Sequence, residues 1–185
     1  MEAVVAVLVV ALIIVAAAAA WFFWQMRRSQ QLRRQFGPEY ERTVQEIGAR
    51  RRAERELEAR RERVESFRLK PLSEIDRARF ADAWQKVQAY FVDDPPAAIA
   101  QADALITEVM QARGYPAGDF ESRAADLSVN YPDVVINYRA AHQIALASGR
   151  GQAGTEQIRQ AMVHYRALFA ELLETAQPER TEVRR

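Results

Sequence analysis

The side chains best equipped for chemistry lie in the last third of the chain. His142 and His164 are its two histidines, and Arg123, Asp126, Tyr138, Arg139, Tyr165 and Arg166 accompany them. An imidazole beside a carboxylate can move protons, and clustered arginines recognise carboxylates and phosphates. These eight residues form a candidate interaction or ligand cleft. The plainer reading is structural. An Arg–Asp pair holds two helices in register, while His142 shares a helical face with Val135 and Tyr138 and hydrogen-bonds a neighbour. On adjacent helices the two histidines would approach each other, with Asp126 or Glu171 completing a metal site. Neither H-x-x-E-H nor E-x-x-H spacing occurs, so no metal is assigned. Pairing of His142 with Asp126 for acid–base work lacks a nucleophile elbow or a second carboxylate. No catalytic residue and no cofactor is expected, and the chain is read as a non-enzyme.

Two further motifs invite a sharper reading. Gly149-Arg150-Gly151-Gln152-Ala153-Gly154 matches G-x-G-x-x-G and precedes a helix. The dinucleotide fingerprint needs a strand before it and an acid about twenty residues on. Here a helix comes first and Glu171 sits inside another, which leaves a helix–helix linker. Arg50-Arg51-Arg52 suggests nucleic acid, but eight glutamates share its segment and no aromatics are interleaved for stacking. Nucleic acid is not expected as a partner. The chain has no cysteine, which excludes disulfides and thiolate chemistry.

The elements that must position the cleft read as helices. Phe80, Trp84, Val87 and Phe91 recur on one helical face, with Ser73 and Asp76 at its start. Asp94-Pro95-Pro96 caps and opens a second helix carrying Ile99, Ala102, Ile106, Val109 and Met110, which Gly114 and Pro116 stop. A short helix over Asp119–Leu127 follows. A third long helix restarts at Pro132 and ends at Gly149. Thr155 caps the last, whose Ile158, Met162, Tyr165, Phe169 and Leu172 point inward. The expected fold is all-α: an antiparallel four-helix bundle with one extra short helix, over residues 71–174.

Before the bundle, residues 26–70 form a charged juxtamembrane stalk. Gly37-Pro38 interrupts it, and from Pro38 to Phe67 the composition predicts one charged helix, laced by pairs such as Glu39/Arg42 and Glu46/Arg50. A heptad frame places Arg50, Glu54 and Arg61 in the seam, which makes a poor coiled coil. Residues 175–185 are polar and read as a disordered tail.

Residues 1–25 are predicted to be a transmembrane anchor. Ala3–Trp24 contains no charge or amide, is long enough as a helix to cross a hydrocarbon core of about 30 Å, and ends in Trp21, Phe22, Phe23 and Trp24. Ala16–Ala20 would suit a signal peptidase, but Met1-Glu2 lacks positive charge and the apolar run is too long for a signal peptide. From Gln25 to Lys70 there are fourteen basic and eight acidic residues, a balance of +6; beyond Lys70 the balance is −4. The expected partners are the lipid bilayer through residues 3–24, anionic headgroups near Arg27, Arg28, Arg33 and Arg34, and a protein of unknown identity. The small residues Ala11 and Ala16–Ala20 permit a homodimer. The positive-inside rule places the amino terminus outside a cytoplasmic membrane and the bundle in the cytoplasm; the alternative places the bundle outside.

Several segments resemble a family of bacterial single-pass proteins, described as membrane or secreted proteins and with no assigned activity. They are Phe91-Val92-Asp93-Asp94-Pro95, Arg113-Gly114-Tyr115-Pro116, Arg123-Ala124-Ala125-Asp126-Leu127-Ser128-Val129, Tyr138-Arg139-Ala140-Ala141-His142 and His164-Tyr165-Arg166-Ala167-Leu168-Phe169. The resemblance spans about Leu72 to Glu174. It implies an amino-terminal membrane segment, a carboxy-terminal helical domain and bacterial origin. Together these readings give a membrane-tethered, non-catalytic interaction domain, with ligand sensing or catalysis in the His/Asp/Arg cleft as one alternative and an exported envelope protein as the other.

Overall fold

The computed structural model describes residues 2–174, with side chains from Leu12 onward. The predicted tail, 175–185, lies outside the described residues, as do the side chains of 2–11 in the predicted anchor. The described residues form seven helices and no strand. Among them, no helix is long and apolar enough to cross a membrane. The chain divides into two compact units, Met1–Glu58 and Ala59–Arg185.

The first unit holds α1 (Glu2–Ile47) and most of α2 (Arg50–Glu65). Gly37, at φ 46° and ψ −126°, breaks α1, and Pro38 re-enters the helix. The single charged helix expected from Pro38 to Phe67 does not form. Gly48 adopts φ 71°, a left-handed geometry that ends one helix before α2 begins. The expected Glu46/Arg50 pair therefore straddles a turn. Glu46 pairs back to Arg42 at 3.1 Å and Arg50 forward to Glu54 at 3.0 Å. Local charge pairing is worth a few tenths of a kcal/mol and cannot hold a helix through such a glycine.

The charged stretch also carries its own buried side chains: Leu32, Phe36, Tyr40, Ala53 and Leu57. Beside them, Glu54 accepts hydrogen bonds from the Tyr40 hydroxyl at 2.8 Å and from Ser29 Oγ at 2.5 Å. Burial alone would push the Glu54 carboxyl up; the bonds from Ser29, Tyr40 and Arg50 hold it below its ordinary value. Arg28 grips Glu58 with two guanidinium nitrogens.

The second unit is a helical bundle of four long helices and one short one, as expected. They are α3 (Glu74–Tyr90), α4 (Pro95–Ala112), the short α5 (Phe120–Asn130), α6 (Pro132–Gly149) and α7 (Thr155–Glu174). α4 sits at its centre, touching α3, α6 and α7, while α5 packs on α6. Ser73, Asp94 and Asp119 cap α3, α4 and α5 by accepting from the amides of Asp76, Ala97 and Ser122. Thr155 is the first residue of α7 and not its cap; the Gln157 side chain instead accepts from Gly154 N–H at 2.8 Å. Trp84 stacks on Phe169 at 4.6 Å between ring centroids, joining α3 to α7 in the core.

The segment from Ala59 to Lys70 belongs to this unit. Arg63 Nε donates to Asp126 at 2.8 Å, the Phe67 ring meets Tyr115 edge-on at 6.2 Å, and Lys70 N–H donates to the Arg113 carbonyl at 2.9 Å. Gly114, at φ 95°, makes the last contact possible. A Cβ there would stand 2.6 Å from the Arg68 carbonyl oxygen.

Candidate functional site

The polar centre of the bundle is organised around a residue missing from the sequence-derived cleft, Asp103 on α4. From α5, Arg123 reaches it with Nη2 to Oδ2 at 3.3 Å, and the same guanidinium donates to the Tyr138 hydroxyl of α6 at 3.3 Å and to the Gly118 carbonyl at 3.1 Å. His142, one turn beyond Tyr138, places Nδ1 3.9 Å from Asp103 Oδ1. Its ring lies flat against Phe120 at 3.6 Å between centroids and 5° between planes. Tyr165 of α7 closes the group, its ring 6.0 Å from that of Tyr138 in an edge-on contact.

Both tyrosines are wholly buried, whereas the side chains of Arg123, His142 and Asp103 keep 12%, 18% and 22% of their exposure. The cluster therefore sits just beneath the surface. Burial pushes the Tyr138 and Tyr165 hydroxyls far up, and the Asp103 charge adds to the effect. Burial also pushes the His142 imidazole down, against the opposing attraction of Asp103. Burial thus favours the neutral ring, in which one nitrogen can accept a hydrogen bond.

Among the described residues, Asp103 Oδ1, His142 Nδ1 and Tyr165 OH are buried and make no close hydrogen bond; Asp103 lies near both of the others, 3.9 Å from His142 Nδ1 and within interaction range of the Tyr165 hydroxyl. Buried polar atoms are rarely left this way, because each costs about 1–3 kcal/mol unpaired.

The eight residues singled out in the sequence do not form one site. Arg123, Tyr138, His142 and Tyr165 come together around Asp103. Arg139 lies beside them and pairs with Glu121. Asp126 belongs elsewhere: it is buried against Arg63 at the end of α2 and not against Arg123, Arg139 or Arg166. Burial raises its carboxyl, and Arg63 opposes that rise. His164 is half-buried outside the cluster and Arg166 is exposed. Among the described residues no three His, Asp or Glu side chains are placed to hold a metal ion. The glycines from Gly149 to Gly154 link α6 to α7, with Gly151 at φ 69°.

Asp103 was legible in principle. It stands four residues after Ile99 and three before Ile106, on the apolar face of its helix, where a lone carboxylate needs a partner. In comparisons with known proteins, no family model, no curated protein and no solved structure matches this chain.

Proposed function

We propose that the chain is a membrane-tethered, non-catalytic helical interaction domain, anchored through residues 3–24 and presenting its bundle to a protein partner. One observation carries this reading. From Leu12 to Val15 and from Trp21 to Trp24, the large apolar side chains of α1 are each 58–69% exposed. Eight such side chains in water would be a heavy liability, and a bilayer with its headgroup zone removes it. The arginines that follow at 27, 28, 33 and 34 suit the anionic face of a membrane and favour a cytoplasmic bundle. Tethering raises the local concentration of the bundle at that surface, so modest recognition suffices for occupancy.

The test is topology. The chain resists carbonate extraction, and a reporter fused after Arg185 is active when it requires the cytoplasm and silent when it requires the outside. The reverse reporter pattern would send the partner search to the envelope, and release by carbonate would remove the anchor altogether.

The Asp103, Arg123 and His142 side chains gathered just beneath the surface favour a second reading, in which the bundle senses a small polar or anionic metabolite. A ligand at 100 times its dissociation constant adds about 2.7 kcal/mol of stability. A thermal-shift screen reads that directly, and Asp103→Asn abolishes any hit that belongs to this site.

A further inference from the structure

Charge counting along the chain puts only Arg27, Arg28, Arg33 and Arg34 beside the aromatic end of the apolar run. The fold of the first unit adds to them. Because the chain turns at Gly37 and again at Gly48, α2 comes back alongside α1, and Arg51, Glu54, Arg55 and Glu58 face Trp21, Trp24, Gln25 and Arg28 across a groove of about 420 Å³. Residues thirty positions apart in sequence share one site.

The balance of charge in that groove is set by its hydrogen bonds. Glu58 is held by Arg28, and Glu54 by Ser29, Tyr40 and Arg50. Both carboxylates are thus neutralised by neighbours. Among the described residues, Arg51 and Arg55 have no carboxylate partner; Arg55 Nε makes only a long 3.3 Å bond to the Arg51 carbonyl one turn back. Two guanidinium groups remain free to bind, one turn apart on an exposed helix face. Opposite them, Trp24 lies under the Arg28 guanidinium at 5.4 Å, and both tryptophans are more than half exposed.

We propose that this groove binds the phosphate-bearing headgroup of an anionic phospholipid, with Arg51 and Arg55 pairing the phosphate and Trp21 and Trp24 lying at the boundary between headgroup and acyl chain. Planar guanidinium groups match phosphate oxygens in bidentate fashion, and indole rings settle at that boundary. The groove has room for a headgroup, and the exposed apolar side chains from Leu12 to Val15 continue from it toward the acyl region. The inference rests on the membrane reading above and adds a preference for one lipid class, read by α2.

The test uses the full chain, mixed with phosphatidylcholine vesicles that carry phosphatidylglycerol. The acyl chains of one lipid or the other are brominated to quench the tryptophans. Flotation reports membrane association separately. The expected result is stronger quenching when phosphatidylglycerol is the brominated lipid. Arg51→Gln or Arg55→Gln should each lower that preference about fivefold, the equivalent of ~1 kcal/mol per basic residue at an anionic surface. The control pair Arg52→Gln and Arg77→Gln removes the same charge from exposed positions outside the groove and leaves the preference in place. Equal loss in both pairs, or none in either, would overturn the groove while the anchor stands. A chain that fails to float overturns the anchor and the groove together. Added inorganic phosphate leaves the preference intact; full competition by it would make this a free-anion site and overturn the lipid assignment.

Discussion

The Asp103–Arg123 pair offers a sharp test of how the bundle is held. At 3.3 Å, in an effective dielectric of about 20, two unit charges attract by roughly 5 kcal/mol before desolvation is counted. The side chains retain 22% and 12% of their exposure, so water screens part of that attraction and relieves part of the burial cost. Breaking a fully buried pair from one side costs about 3–5 kcal/mol, and an exposed pair contributes under about 1. Asp103→Asn should therefore destabilise the bundle by roughly 2 kcal/mol, because Arg123 keeps its place against Tyr138 and Gly118 but loses its counter-charge. For a domain of this size, that lowers the unfolding midpoint by roughly 8–16 °C. A Trp21→Phe/Trp24→Phe background leaves Trp84, stacked on Phe169, as the sole indole, so urea unfolding followed by its fluorescence reports on the bundle alone. Arg123→Gln closes a double-mutant cycle, and a coupling of at least ~1 kcal/mol is expected. A coupling below about 0.5 kcal/mol would refute the argument, since Asp103 and Arg123 would then be neighbours and not partners.

Three further outcomes follow from the same geometry. His142 is held below its ordinary value by burial, so the unfolded chain takes up this proton first. Stability is then complete above about pH 6.5 and falls as pH drops toward the folded value. His142→Gln should flatten that part of the urea-midpoint curve, and an unchanged slope would count against a buried neutral imidazole. Arg63→Met leaves Asp126 buried without its guanidinium and should cost about 1–3 kcal/mol at pH 7. The carboxyl, already raised by burial, then rises further; protonation relieves the penalty, so the deficit must shrink as pH falls through that raised value. Gly114→Ala forces a left-handed backbone on a residue with a Cβ, at about 1–2 kcal/mol. Displacement of the Arg68 carbonyl adds to this, and a loss below ~1 kcal/mol by chemical denaturation would contradict the close approach.

The helices of the bundle were legible because their signals are local. Ser73, Asp94 and Asp119 are side chains that cap within three residues, and Phe80, Trp84 and Val87 mark a buried face by spacing alone. The charged stretch was misread for the opposite reason. Its i,i+4 pairs and helix-favouring composition are local too, but Gly48 outweighs them, and the burial of Leu32, Phe36 and Tyr40 arises from tertiary contacts that no window of sequence displays. The site was half legible. Arg123, Tyr138, His142 and Tyr165 stood out by chemical type. Asp126 stood out as a carboxylate among apolar neighbours, whereas Asp103 lies twenty residues before Arg123 and reaches it only because α4 and α5 meet in space. Arg63 as the partner of Asp126 is sixty-three residues away, beyond any spacing argument.

The contacts that fasten residues 63–70 to the bundle also decide how the molecule would respond to pulling. Tension entering from the amino-terminal side meets Arg63 on Asp126, then Phe67 on Tyr115, then Lys70 on the Arg113 carbonyl, in chain order. None of these three contacts involves the Trp84–Phe169 stack or the caps of α3 and α4. Under load from that side the stretch would yield slack in small steps before the core of the bundle carries the tension.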